Sequence, residues 1–316
     1  MELLMDILEL HEVQGTDGFG LYNGNYLGVS IAGDYIYALT GGDQNSYMPL
    51  SDFPVGIWEY TSASGSAVVK LPTTYLSTTA GSSLDLNVDI SSDGINWVQT
   101  TSLPSGPNWY ALHLARTNDF AFIIGSSSGL WTTDGTTRST INYPTGDYYT
   151  VADSGTRYIA AGYGSYIHST DGKSWTAAAL PVEDYWPCVV HNGAVFCLVS
   201  YEGVVLTSTD GLAWISQSGA PNKSYSNGVA LENGTIYLFG EATNDIVSSI
   251  DNGVSWLIES TGLDNVPSYD PGAKAVGNEV YGIVSYGFSN NVFLTSVLAP
   301  ASDFWTETHG VTIYKF

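Results

Sequence analysis

Five short stretches of this 316-residue chain are near-copies of one another: SSDGINW (91–97), TTDGTTR (132–138), STDGKSW (169–175), STDGLAW (208–214) and SIDNGVSW (249–256). Their aspartates, Asp93, Asp134, Asp171, Asp210 and Asp251, stand 41, 37, 39 and 41 residues apart. A period of that size restricts the chain to repeated supersecondary units, each too small to bury its apolar face without its neighbours. Gly 35, Tyr 22 and Trp 9, with only 12% charged residues, make those units strands and tight turns rather than helices.

The stretches between the copies repeat as well. Each unit reads as an apolar strand, a short turn, a second apolar strand, a third strand, the Asp turn and a fourth strand. The first hairpin turns fall at Gly33-Asp34, Asn118-Asp119, Ser154-Gly155, Asn192-Gly193, Asn233-Gly234 and Gly277-Asn278, residue pairs suited to two-residue loops. Second strands such as FAFIIG (120–125), AVFCLV (194–199) and TIYLFG (235–240) are near-continuous apolar runs.

The fold expected is therefore all-β: a single β-propeller of four-stranded antiparallel blades. Seven blades are favoured, with a weak second unit over 66–101; the alternative is six, with residues 43–82 as an insertion. The first unit shows no obvious outer strand, so the C-terminal VTIYKF (311–316) is expected to supply it and close the ring. Residues 1–15 are read as an N-terminal arm or edge segment, and 16–316 as the propeller.

The Ser/Thr-x-Asp-Gly-x-x-Trp pattern resembles the Asp-box repeats of sialidase-type β-propellers, strongly over about residues 85–260 and weakly on the flanks. The resemblance implies that Asp93, Trp97, Asp134, Asp171, Trp175, Asp210, Trp214, Asp251 and Trp256 are structural, joining third to fourth strands away from the functional face. Locally, an Asp carboxylate can accept amides of its own turn, Gly takes a conformation other residues resist, and Trp packs between sheets. Arg138 stands where the second copy should have Trp, which predicts looser packing there.

Catalytic sialidases of that type hold a substrate carboxylate with three arginines drawn from separate blades. This chain has only Arg116, Arg138 and Arg157, within about one repeat, and lacks the family's Phe-Arg-Ile-Pro type motif. No catalytic residue is assigned. Glu59, Glu183, Glu202 and Glu241 fall in or near loops, but nothing in the sequence pairs two of them across a cleft. No metal-ligand spacing links the five histidines, and no cofactor is expected.

With Lys+Arg 8 against Asp+Glu 31, the formal charge of −23 excludes nucleic acid as a natural partner and favours cations and basic proteins. The apolar run near the start is too short for membrane insertion, and the first Lys or Arg is Lys70, so a basic signal-peptide n-region is missing. A Tyr-, Ser- and Gly-rich, Lys-poor body without an export signal suggests a virion component released by lysis, with a cytoplasmic location as the alternative.

Nearly every unit carries an aromatic just before its first strand: Tyr26, Trp109, Tyr110, Tyr148, Tyr149, Tyr185, Trp186, Tyr225 and Tyr269. Innermost strands bring such residues to one mouth of the channel. A loop over 41–56, containing Tyr47, is expected to join second and third strands on that face. These aromatics either stack on a sugar or protein ligand or wedge the blades together.

Cys188 and Cys197 flank Asn192-Gly193 and would face each other if that turn has two residues, as a disulfide or as two reduced core thiols. The function expected is a non-enzymatic binding or assembly propeller, a structural or host-recognition part of a phage-like virion. Its partners would be other virion proteins or a surface glycan. The alternatives are a sialidase-like enzyme and a cytosolic assembly factor.

Overall fold

The computed structural model describes residues 9–14, 28–39, 45–52, 59–62, 67–79, 87–100, 109–114, 119–125, 128–144, 146–221, 225–240, 246–259, 269–276, 279–286, 290–295 and 311–314. Strand β1 (Glu9–Gln14) comes first in the chain. Blade 1 follows as β2 (Gly28–Ala32), β3 (Tyr35–Leu39), β4 (Asn45–Pro49) and β5 (Glu59–Thr61). β6 (Ala67–Lys70), β7 (Tyr75–Thr79), β8 (Asn87–Ser91) and β9 (Val98–Gln99) make blade 2. In blade 3 the strands are β10 (Trp109–Leu114), β11 (Ala121–Gly125), β12 (Ser128–Thr132) and β13 (Arg138–Asn142). Blade 4 holds β14 (Tyr148–Asp153), β15 (Tyr158–Gly162), β16 (Ser165–Ser169) and β17 (Thr176–Ala179). Next come β18 (Cys188–His191), β19 (Phe196–Val199), β20 (Val205–Ser208) and β21 (Ile215–Ser216) of blade 5. Blade 6 consists of β22 (Tyr225–Ala230), β23 (Ile236–Gly240), β24 (Ile246–Ser249) and β25 (Leu257–Glu259).

These six four-stranded antiparallel blades are joined by a five-stranded sheet. Its chain-order members are β26 (Tyr269–Val276), β27 (Glu279–Tyr286), β28 (Asn290–Thr295) and β29 (Val311–Tyr314), with β1 inserted between β28 and β29. Innermost strands touch in the order β2, β6, β10, β14, β18, β22, β26 and back to β2, so the ring is closed. The weak unit over 66–101 is thus a four-stranded blade, and the described residues of 43–82 belong to the strands of blades 1 and 2 or to the short segments next to them.

Closure differs from the sequence expectation. Val311–Tyr314 pairs with β1 through Leu10↔Tyr314 to Val13↔Val311, not with blade 1. Blade 1 needs no borrowed strand because Glu59–Thr61, expected as its third, is its fourth. The third is Asn45–Pro49, inside the segment expected to be a loop. Residues 9–14 are likewise part of a sheet, paired with β28 from Glu9↔Thr295 to Gln14↔Asn290. Two chain ends in adjacent strands tie the ring shut by backbone hydrogen bonds on both sides of β1.

The core lies between blades. Second strands β11, β15, β19 and β23 are buried along their whole length, sandwiched by a neighbour on each face, hence their continuous apolar sequences. One cluster joins Phe120, Phe122 and Ile141 of blade 3 to Tyr158, Ile167 and Trp175 of blade 4; equivalents join blades 4 to 5 and 5 to 6. Fourth strands carry several of the exposed apolar side chains, among them Val98, Ile215, Leu257 and Ile258. At two or three residues, β9, β21 and β25 are too short to template pairing with another chain.

Several first hairpins are longer than the two residues expected. Gly33-Asp34 does link Ala32↔Tyr35, but Asp153↔Tyr158, His191↔Phe196 and Ala230↔Ile236 enclose four or five residues. Side chains close these loops: Asn192 Oδ1 accepts the Ala194 and Val195 amides (3.1 and 3.0 Å), and Ser154 Oγ accepts that of Arg157 (3.1 Å). Consequently Cys197 faces Val190 and Cys188 faces Val199, and both cysteines are free and buried.

The repeated Asp turns are the joints between blades. In blade 2, Ser91 Oγ donates to Asp93 Oδ1 (2.8 Å) and accepts the Gly94 amide (2.9 Å). Asp93 Oδ1 accepts the amides of Ile95 (2.9 Å) and Asn96 (2.8 Å). Asp134, Asp171 and Asp210 accept the same pair of amides, two and three residues on. Asp251 accommodates its extra residue by placing Asn252 at φ 64. Each turn docks on the preceding blade: a Cβ on Gly94 would stand 2.6 Å from Tyr37 Oη, and on Gly172 3.2 Å from Phe120. Glycine is required there both for the approach and for φ of 81° and 71°.

Candidate functional site

Antiparallel topology gives the ring two faces. The Asp turns and the β14–β15 type hairpins lie at one end, here the turn face. The starts of first strands, the ends of second strands and the links between blades lie at the other, the rim face.

At the rim the predicted aromatics divide. Tyr148, Trp186 and Tyr225 are fully buried and wedge neighbouring blades. Tyr148 Oη donates to the Pro144 carbonyl (3.3 Å), and Tyr225 Oη donates to that of Pro221, so each ring locks its own entry loop. Tyr47 is a buried residue of β4 and not of a loop; its hydroxyl donates to Glu59 (2.6 Å), and burial with that carboxylate pushes it up to about 12. Trp109 and Tyr110 lie at the rim end of β10, and Tyr269 at that of β26. Tyr26 lies outside the described residues.

Tyr149 and Tyr185 belong to a surface ladder. A register shift between Tyr148 and Thr150 lets Tyr149 bulge from β14, and comparable shifts follow Trp109, Tyr225 and Tyr269. Tyr149 meets Tyr185 edge-on, with centroids 5.3 Å apart, and Tyr185 lies 6.1 Å from Tyr201. Tyr163 pairs with Tyr185 in an isolated antiparallel bridge and is 64% exposed, among the most open large side chains described.

Main-chain bonds fix this patch across two blades. The Tyr163 amide donates to Asp147 (3.1 Å), Gly164 to Asp184 (2.8 Å), Trp186 to Gly162 (3.1 Å) and Tyr201 to Tyr185 (2.9 Å). Tyr163 and Tyr201 were not among the sequence-predicted aromatics. Their signal is a tyrosine at the end of the second strand or within two residues of it, in AAGYGS (160–165) and LVSYEG (198–203), repeated at Tyr286.

Other candidate chemistry is spent on structure. The Trp97 and Trp175 indoles donate to the Gly94 and Gly172 carbonyls, both at 3.0 Å. Arg138 packs as their equal: its guanidinium donates to the Gly135 carbonyl through Nε (3.3 Å) and Nη2 (3.1 Å), and also reaches Thr100, so this turn is no looser. Trp214 lies edge-on against Tyr166 of the preceding blade.

Among the turn aspartates, Asp134 is lowered to about 2, chiefly by the Thr137 amide. Asp93 is lowered further, the Asn96 side-chain amide leading its backbone donors. Arg157 stands 3.0 Å from His168 Nδ1 on the turn face, so neither described arginine reaches the rim. Burial pushes the Cys188 thiol up to about 12 and Cys197 in the same direction. Among the described residues no group of three His, Cys, Asp or Glu could hold a metal ion, and no helix is long and apolar enough to cross a membrane.

The closed ring of antiparallel blades makes this chain a β-propeller, and its similar solved structures are propellers as well. A catalytically inactive variant of virginiamycin B lyase from Staphylococcus aureus with quinupristin superposes with TM-score 0.72 at 9% identity, over 91% of this chain and 99% of that one. YCF48 bound to D1 peptide gives TM-score 0.68 at 16% identity, over 94% and 97%. PorZ of Porphyromonas gingivalis, a surface component of the type-IX secretion system, gives 0.58 at 13% over 90% of this chain and 39% of that one. At these identities the likeness is one of fold. No family model and no curated protein sequence matches the chain.

Proposed function

We propose that this protein is a binding and assembly scaffold whose rim face, over blades 4 and 5, docks a polypeptide segment of a partner. The observation that carries the reading is the ladder of Tyr149, Tyr163, Tyr185 and Tyr201, exposed or half-exposed on a frame of inter-blade main-chain bonds. Tyrosines on a rigid support offer large contact area and a hydroxyl at little entropic cost. Of the similar structures, YCF48 is seen with a peptide bound, and PorZ belongs to a secretion assembly. Both support a scaffold, while virginiamycin B lyase carries the same fold as an enzyme.

A place in a phage-like particle, with virion proteins or a host glycan as partners, is a narrower form of the same proposal. It rests on the acidic, Tyr-rich, Lys-poor composition. The sialidase-like alternative is disfavoured by Arg138 and Arg157, both committed on the turn face.

Selection of a random linear peptide library on the full chain tests the scaffold reading. Enriched peptides should lose about 10-fold in affinity on Tyr163→Ala or Tyr201→Ala, and nothing on Ile215→Ala at the outer edge. Peptides that ignore both tyrosine changes, or turnover of a glycan substrate, would contradict it.

A further inference from the structure

Among the described residues of blades 4 and 5, the cations are confined to one face. Their described cations, Arg157 and Lys173, both sit on the turn face. Arg157 Cδ lies 2.9 Å from where a Cβ of Gly211 would stand, and Lys173 Nζ stands 4.3 Å over the Phe120 ring and 4.0 Å over Trp131.

On the rim face, carboxylates alternate with tyrosines. Glu183 follows the Gly164 backbone beside Tyr163, its Cγ 3.4 Å and Oε1 3.7 Å from where a Gly164 Cβ would be. Asp184 Oδ1 accepts the Tyr185 amide (2.7 Å) while its carbonyl accepts that of Gly164. Glu202, exposed, adjoins Tyr201.

We infer that the tyrosine ladder takes a cationic polypeptide segment, its Arg or Lys side chains laid on the tyrosine faces with the rim carboxylates around them. The inference rests on the binding reading of this face and adds the chemistry of the ligand. Three facts converge on it. Exposed aromatic faces attract guanidinium and ammonium groups. Neighbouring carboxylates raise that attraction and exclude anions. The whole chain, at −23, steers basic segments toward itself.

The test is isothermal titration of the full chain with one Gly/Ser peptide backbone bearing Arg, Lys, citrulline or Glu. The Arg and Lys peptides should bind, citrulline about 10-fold more weakly and Glu not at all. Affinity should fall several-fold between about 50 and about 200 mM salt. Glu183→Gln and Tyr163→Ala should each weaken the Arg peptide about 5-fold or more with unchanged circular dichroism, and Glu232→Gln on the turn face should not.

Citrulline binding as tightly as Arg, with both sensitive to Tyr163→Ala, would overturn the cationic ligand and leave the docking face standing. Arg binding that is indifferent to Glu183→Gln and Tyr163→Ala would overturn the assignment as an effect of net charge. Failure of every peptide, or binding of a neutral glycan alone, would remove both readings.

Discussion

Arg138 shows what a single position in the Asp turn has to do. Sequence reading casts Trp as an apolar plate, and its replacement by Arg as a defect. The structure shows a second role in three of the five turns, a donor to the glycine carbonyl three residues back, which the Trp97 and Trp175 indoles and the Arg138 guanidinium fill, while the Trp214 and Trp256 indole nitrogens do not. Trp97→Arg should therefore cost about half of what Trp97→Ala costs, the latter about 2–3 kcal/mol for a half-buried indole. Urea unfolding of the two variants measures this.

The aspartates make a second prediction at this scale. Their carboxyls are depressed by hydrogen bonds present only in the folded turn, to about 2 for Asp134. The unfolded chain, with ordinary carboxyls near pH 4, then binds more protons as pH falls, so folding stability declines. The stabilisation is complete above about pH 4 and is lost toward about pH 2. Melting temperature followed from pH 5 to 2 should drop steeply, and Asp134→Asn should flatten part of the slope; an unchanged slope would assign acid loss elsewhere.

Among the elements, second strands and Asp turns were legible because each has a local cause. Double-sided burial writes an unbroken apolar run, and the turn needs Asp and Gly at fixed offsets. Asn45–Pro49 was not legible: its first two residues are polar yet buried, and a closing Pro reads as loop. Hairpin lengths were missed because Ser154 and Asn192 close wider loops with their own side chains. That error moved the cysteine register by two and created an apparent Cys188–Cys197 pair.

The closing strand was missed for another reason: pairing of β1 with β28 joins the two ends of the chain, and no local pattern encodes it. Deletion of residues 1–15 should lower the melting temperature by about 10 °C or more, since it strips β28 of its outer partner and leaves β29 without any. Deletion of 311–316 removes only the outermost strand and should cost clearly less. Equal losses would argue against β1 as the closing element.

For the whole molecule, the ring was readable from its period, and the choice of face followed from topology. Which aromatics face solvent was not readable. Tyr148 and Tyr149 are neighbours in sequence, yet a one-residue bulge buries the first and presents the second. The acidic, low-Lys composition reads differently as well: the aspartates of the repeated turns accept backbone amides, while Glu183 and Glu202 lie exposed beside the rim tyrosines. That contrast is what the proposed docking face on the rim rests on.

Hydrogen–deuterium exchange of the full chain, with and without a library-selected peptide, tests this placement most directly. Slowed exchange confined to residues 147–149, 163–165, 183–187 and 200–203 is the predicted footprint. Slowed exchange at 212–216 and 250–258, where Ile215, Leu257 and Ile258 are exposed on the outer edge and Ile250 on the turn face, with none at the rim, would contradict it.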